Sequence, residues 1–100
     1  MDTKYMISFS DFKREVYRLF RENKRLIKRE AQELLPEVKV IDVRLSGSYG
    51  RRKPTEESDI DIRVIYKGNL DRDIVWERLM DKLGIPGLPG AVDIHVERVE

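Results

Sequence analysis

The residues able to do chemistry in this chain fall in two short stretches and one further position. Gly47-Ser48 is followed, across the polar loop Arg51 to Ser58, by Asp59-Ile60-Asp61, and Asp93 stands in a similar alternating pattern near the C-terminus. A glycine beside a small hydroxyl lets backbone N–H groups come close to a phosphate, particularly where a helical turn begins. Side chains alternate across a strand, so Asp59 and Asp61 are expected to project together, opposite Ile60, Ile62 and Val64. Two carboxylates this close repel, and a third beside them raises the cost unless a cation compensates. The spacing therefore predicts a divalent ion. Mg²⁺ is the natural candidate, because it takes oxygen ligands and leaves positions for water and substrate phosphates. Asp93, if it lies on the adjacent strand, would bind a second ion or take the proton of an attacking hydroxyl. Ser48 would hold a β- or γ-phosphate, and Arg51, Arg52 and Lys53 are near enough to neutralise a departing pyrophosphate.

The elements that must position these groups can be read from periodicity. Phe12, Val16, Leu19, Leu26, Ile27, Ala31 and Leu34 recur at spacings of three and four, which predicts an amphipathic helix over about 10–35. Ser10 is the expected N-cap, Asp11 suits the positive helix end and Pro36 stops the run. Asn23 interrupts the apolar seam, so one bent helix and two shorter ones are both compatible with the pattern. Ile41, Val43 and Leu45 alternate with Asp42 and Arg44 as a half-buried strand running into the Ser46-Gly47-Ser48 turn. Asp59 to about Lys67 reads as a second strand, Asp71 to Leu83 as a helix, and Val92 to Glu97 as a third strand in which Val92, Ile94 and Val96 face inward. The order helix, strand, strand, helix, strand predicts an α+β fold, a two-layer arrangement with helices on one face of a small mixed sheet.

Composition leaves few competitors. One hundred residues make a single small domain over 1–100, with the first helix at about 10–35 and a core at about 38–98. Basic and acidic residues number 20 and 19, for a net charge of +1. No global field therefore directs the chain to nucleic acid or an anionic membrane. The absence of cysteine excludes disulfides and thiolate chemistry. Nothing resembles a signal peptide, and no apolar run approaches the roughly 20 residues that span a bilayer, so a cytoplasmic protein is expected. Blander readings apply elsewhere. His95 is a neighbour of Asp93 more readily than a participant, and Tyr49 is expected to pack on the first strand. Trp76 and the Phe12, Phe20 and Leu26 stripe read as core or partner contact. The basic residues of the first helix are interspersed with Glu22, Glu30 and Glu33, as on a solvated face.

The stretches Leu45-Ser46-Gly47-Ser48-Tyr49-Gly50-Arg51 and Glu57-Ser58-Asp59-Ile60-Asp61-Ile62 resemble the nucleotidyltransferase superfamily of DNA polymerase beta, and most of all its minimal nucleotidyltransferases. The resemblance extends over roughly 26–98, including the distance to Val92-Asp93-Ile94. It implies that Gly47, Ser48 and Arg51 bind nucleotide phosphates, that Asp59 and Asp61 ligate two Mg²⁺ ions, and that Asp93 joins a metal and helps activate the acceptor. One departure is Arg52, where relatives commonly carry glycine, and it bears on the conformation of the loop. The resemblance further implies transfer of a nucleoside monophosphate, usually AMP from ATP, to an acceptor hydroxyl with release of pyrophosphate. Minimal members often act with a helical partner of the HEPN type, as the antitoxin that adenylylates a toxin. The short chain leaves no separate acceptor-binding domain, so a partner or a second copy is expected to supply that surface. Nucleic acid is the less favoured partner, and a template-directed polymerase fragment fits poorly. The alternative of another class is a non-enzymatic module on the same fold that acts by covering its partner.

Overall fold

The computed structural model describes residues 8–90 and 92–100. Its elements are α1 (Phe9–Leu34), β1 (Lys39–Ser46), α2 (Gly47–Gly50), β2 (Asp61–Lys67), α3 (Arg72–Leu79) and β3 (Asp93–Val99). The helix α1 is continuous. Asn23 stays within it, its side-chain amide donating to the Leu19 carbonyl at 2.9 Å. Ser8, not Ser10, is the N-cap: its hydroxyl accepts the Asp11 N–H at 3.1 Å, and Ser10 lies inside the first turn. Val16, Phe20, Ile27 and Ala31 form the buried stripe, and the helix closes at Leu34, before Pro36.

The sheet order is β1-β2-β3, with β2 antiparallel to β1 and parallel to β3. The mixed sheet expected from the element order is thus formed, and the fold is α+β. The alternation in β1 is broken by a bulge between Val40 and Asp42. The extra residue turns Ile41 outward at 37% exposure, so Val40 and Val43, rather than Ile41 and Val43, are the buried pair. Gln32 covers this edge. Its side chain accepts the Val40 N–H at 2.8 Å and donates to the carbonyls of Leu35 and Val38 at 2.9 and 2.8 Å. An edge strand whose free amide is satisfied in this way is a poor template for another chain.

One sheet face carries the core: Val43, Ile62, Val64, Tyr66 and Ile94 pack with Ile27 and Ala31 of α1 and Val75 and Leu79 of α3. Tyr66 is fully buried, which raises its phenol above the ordinary value, and its hydroxyl donates to the Leu70 carbonyl at 2.6 Å. α3 is shorter than the 71–83 expected from periodicity. Met80 leaves the helix with ψ 142°, and Asp81 turns left-handed at φ 62°, a conformation Asp tolerates better than most residues. This turn still buries Leu83 and Ile85, but Ile74 and Trp76 face outward at 40% and 42% exposure. Trp76 is therefore not a core residue. Its indole N–H donates to the Ile94 carbonyl at 3.1 Å and lies over the outer edge of β3. Among the described residues no helix is long and apolar enough to cross a membrane.

The opposite sheet face is polar. Register places Ser46, Arg44 and Asp42 of β1 beside Asp61, Arg63 and Ile65 of β2, and these beside Asp93, His95 and Glu97 of β3, so Ile65 is the one buried apolar side chain in these rows. Among the described residues α1 and α3 pack on the apolar side, and Asp93, His95 and Glu97 are exposed on this face.

Candidate active site

The site is built at the end of the sheet where β1 stops and β2 and β3 begin. Ser46 is paired with Asp61, and Asp61 with Asp93, so the phosphate-type turn and two acids lie in one row across three strands. Neighbouring strands are about 4.8 Å apart, which places the two carboxylates side by side on the open face. The Asp93 N–H donates to the Ile60 carbonyl at 2.9 Å and fixes this register at its first rung. Asp59 lies two residues before β2, in the exposed connection from the Arg51–Ser58 loop. It is therefore not one of the paired strand residues, and its position is set by the loop.

The turn itself is a single helical turn, Gly47–Gly50. Gly47 has φ +59°, in the left-handed region, and a Cβ there would lie 2.2 Å from Asp61 Oδ2. Only glycine allows both this backbone conformation and this approach. The carbonyls of Gly47, Ser48 and Tyr49 accept from the N–H groups of Arg51, Lys53 and Arg52 at 3.0, 2.9 and 3.1 Å. All three carbonyls therefore point forward along the chain, and the intervening amides point back. The Ser48 hydroxyl has no hydrogen-bond partner among the described residues and is half-buried. Arg51 and Lys53 are exposed beside the turn and make no ion pair among the described residues. Arg52 takes φ 63°, in the left-handed region that glycine adopts most readily. For a non-glycine residue this costs roughly 1–2 kcal/mol. The guanidinium sits 4.4 Å from the centroid of the Tyr17 ring, a contact that offsets about 0.5–1 kcal/mol of it.

The donor chemistry of the row fits a hard divalent cation. Asp61 and Asp93 offer carboxylate oxygens from adjacent strands, and Mg²⁺ characteristically takes one or two carboxylates, with waters and substrate phosphates completing an octahedron. No three Asp, Glu, His or Cys side chains converge as a ready cage among the described residues. The Gly47 turn lies against Asp61, and Asp59 belongs to the loop two residues before β2.

Two features were not legible in the sequence as site residues. His95, adjacent to Asp93 in sequence only through Ile94, reaches across to β2, and its Nε2 lies 3.3 Å from Asp61 Oδ1. The diagonal relation follows from parallel pairing, in which Asp61 opposes Asp93 and Arg63 opposes His95. Tyr17 of α1 donates its hydroxyl to the Tyr49 carbonyl at 2.8 Å, and its ring lies 5.7 Å from that of Tyr49 at a 55° tilt. Helical periodicity alone gives no hint that Tyr17 meets the turn. Tyr49 is buried, as packing on the first strand would require, and burial raises its phenol above the ordinary value. Farther along the same face, burial raises the carboxyl of Asp42, but hydrogen bonds from Arg44, Lys24 and its neighbouring Val43 N–H outweigh it and hold the group below the ordinary value.

Beside the acids lies a hollow of about 330 Å³, lined by Trp76, Met80, Asp81, Val92, Asp93, Ile94 and His95. A second hollow of about 540 Å³ runs along the C-terminal half of α1, where Arg25, Lys28 and Arg29 rim a floor that includes Pro36 and Val40. A family model described as the nucleotidyltransferase domain matches residues 24–97, which span the turn, all three acids and the whole sheet except its last two β3 residues. No curated protein and no solved structure matches the chain.

Proposed function

The chain belongs to the nucleotidyltransferase domain family, whose chemistry is nucleotidyl transfer from a nucleoside triphosphate with a divalent metal, and from that membership we propose that it moves AMP from ATP to an acceptor hydroxyl with Mg²⁺. The observation that carries this reading is the approach of the Gly47 turn to Asp61, which joins a phosphate-type turn to a carboxylate at van der Waals distance. Gly47 and Ser48 hold the β- and γ-phosphates through backbone N–H groups and the free Ser48 hydroxyl. Asp59, Asp61 and Asp93 are the residues that hold the metal, and His95 fixes one Asp61 oxygen so that the other faces the turn. Bound Mg²⁺ supplies charge neutralisation on the α-phosphate and on the departing pyrophosphate. As the acceptor oxygen bonds to the α-phosphorus and the bond to the bridging β-phosphate oxygen breaks, the hydroxyl proton passes to the Asp93 carboxylate. Arg51 neutralises the pyrophosphate that leaves.

The acceptor enters from the hollow lined by Trp76 and Asp93, which opens toward solvent on the β3 side. The rest of the acceptor surface comes from a helical partner of the HEPN type or from a second copy. In this setting the chain is the antitoxin of a two-protein pair and modifies its toxin. Calorimetric titration of ATP with Mg²⁺ tests the nucleotide half of the proposal. Wild-type protein should bind only with the metal present, and the Asp59→Asn, Asp61→Asn double variant should lose at least about 100-fold in affinity. Equal binding by a folded double variant would remove the acids from the site.

A further inference from the structure

The geometry points to Tyr17 as a positioning residue for the phosphate turn, an inference that rests on the nucleotide-binding reading of that turn. Three contacts converge on this one side chain. Its hydroxyl donates to the Tyr49 carbonyl at 2.8 Å, its ring tilts against the Tyr49 ring at 5.7 Å, and the Arg52 guanidinium lies 4.4 Å over its centroid. Tyr49 is the third residue of the helical turn, and its carbonyl also accepts the Arg52 N–H at 3.1 Å. The phenol and the Arg52 amide therefore hold the same peptide plane, and Arg52 is held in its left-handed conformation by the same ring. The direction of the Gly47, Ser48 and Tyr49 peptides decides whether their amides face a phosphate. That direction is fixed from α1, 32 residues away in sequence.

The arrangement replaces a local device with a tertiary one. A glycine after Arg51 would take the left-handed conformation without help. An arginine there needs a partner, and Tyr17 provides it from α1. Tyr17 touches no substrate in this account. It acts through the backbone it holds.

Hydrogen exchange and nucleotide binding together test the assignment. Tyr17→Phe removes only the hydroxyl, and Tyr17→Leu also removes the aromatic face. In the free protein, Tyr17→Phe should accelerate amide exchange in segment 47–53 several-fold while β2 core amides keep their wild-type rates. The affinity for ATP with Mg²⁺ should fall by about tenfold, the equivalent of one hydrogen bond. Tyr17→Leu should fall further, and adding Arg52→Gly to Tyr17→Leu should restore part of the loss, because glycine needs no ring to hold its conformation. Unchanged exchange in 47–53, or uniform acceleration across β2, would make Tyr17 an ordinary packing residue. Faster exchange with unchanged nucleotide affinity would leave a clamp without a positioning role and overturn the inference. If wild-type protein itself binds no nucleotide, the reading of the site falls and the positioning role with it, whereas the exchange result alone still reports whether the clamp exists.

Discussion

Gly47→Ala is expected to abolish metal-dependent nucleotide binding in a protein that still folds. Two costs coincide at this position. The backbone is left-handed at φ +59°, which costs an alanine roughly 1–2 kcal/mol. The added Cβ would also lie 2.2 Å from Asp61 Oδ2 and 3.2 Å from its Cγ, so the carboxylate must swing away or the turn must open. Global stability, about 5–15 kcal/mol for a domain of ordinary size, absorbs the first cost. The second cannot be relieved without separating the two halves of the site. A displacement of about 1 Å in such a constellation costs on the order of 100-fold, so affinity for ATP with Mg²⁺ should drop by at least that factor. Circular dichroism should remain native. Wild-type affinity in a folded Gly47→Ala protein would mean that the contact between turn and acid is incidental.

Ile27→Ala is expected to give the largest loss of stability. Ile27 is fully buried at the centre of the α1 stripe and belongs to the same core cluster as Val43, Val64 and Leu79. Truncation removes three methyl or methylene carbons from a packed interior and costs about 2–5 kcal/mol. In a domain of this length each kcal/mol shifts Tm by roughly 4–8 °C, so the midpoint should fall by at least about 8 °C. Urea unfolding should show an earlier midpoint with an unchanged slope. A shift below about 2 °C would mean that α1 rests on the sheet without being part of its core, and the support that α1 gives the turn through Tyr17 would then be weak as well.

The elements were legible where periodicity and burial agree. In α1 the periodic residues Val16, Ile27 and Ala31 are buried, together with Phe20 from outside the expected seam, and Ile62, Val64 and Ile94 face inward as the alternation predicts, although Ile65 is buried out of phase. Legibility fails where a backbone irregularity overrides the period. The bulge in β1 exchanges Ile41 for Val40, and a single-residue insertion leaves no mark in an apolar run that reads equally well in either phase. The left-handed Asp81 ends α3 early, although Gly84 is the more conspicuous stop signal. Within the site, Gly47, Asp61 and Asp93 were readable because each sits at a strand end and the sheet register brings strand ends together. Asp59 was read as a strand residue, but β2 begins after it, so its approach depends on the loop. The contacts of Tyr17 and His95 cross between elements distant in sequence, and spacing along a single element cannot reveal them.

The most direct measurement is a crystal structure of the protein with Mg²⁺ and an ATP analogue that cannot be cleaved between the α- and β-phosphates. The account predicts electron density for the triphosphate against Gly47 and Ser48, with metal bridging it to Asp61, Asp93 and Asp59, and with the Gly47 turn unchanged. A nucleotide seated elsewhere, or one bound at the turn with no metal on these acids, would contradict it.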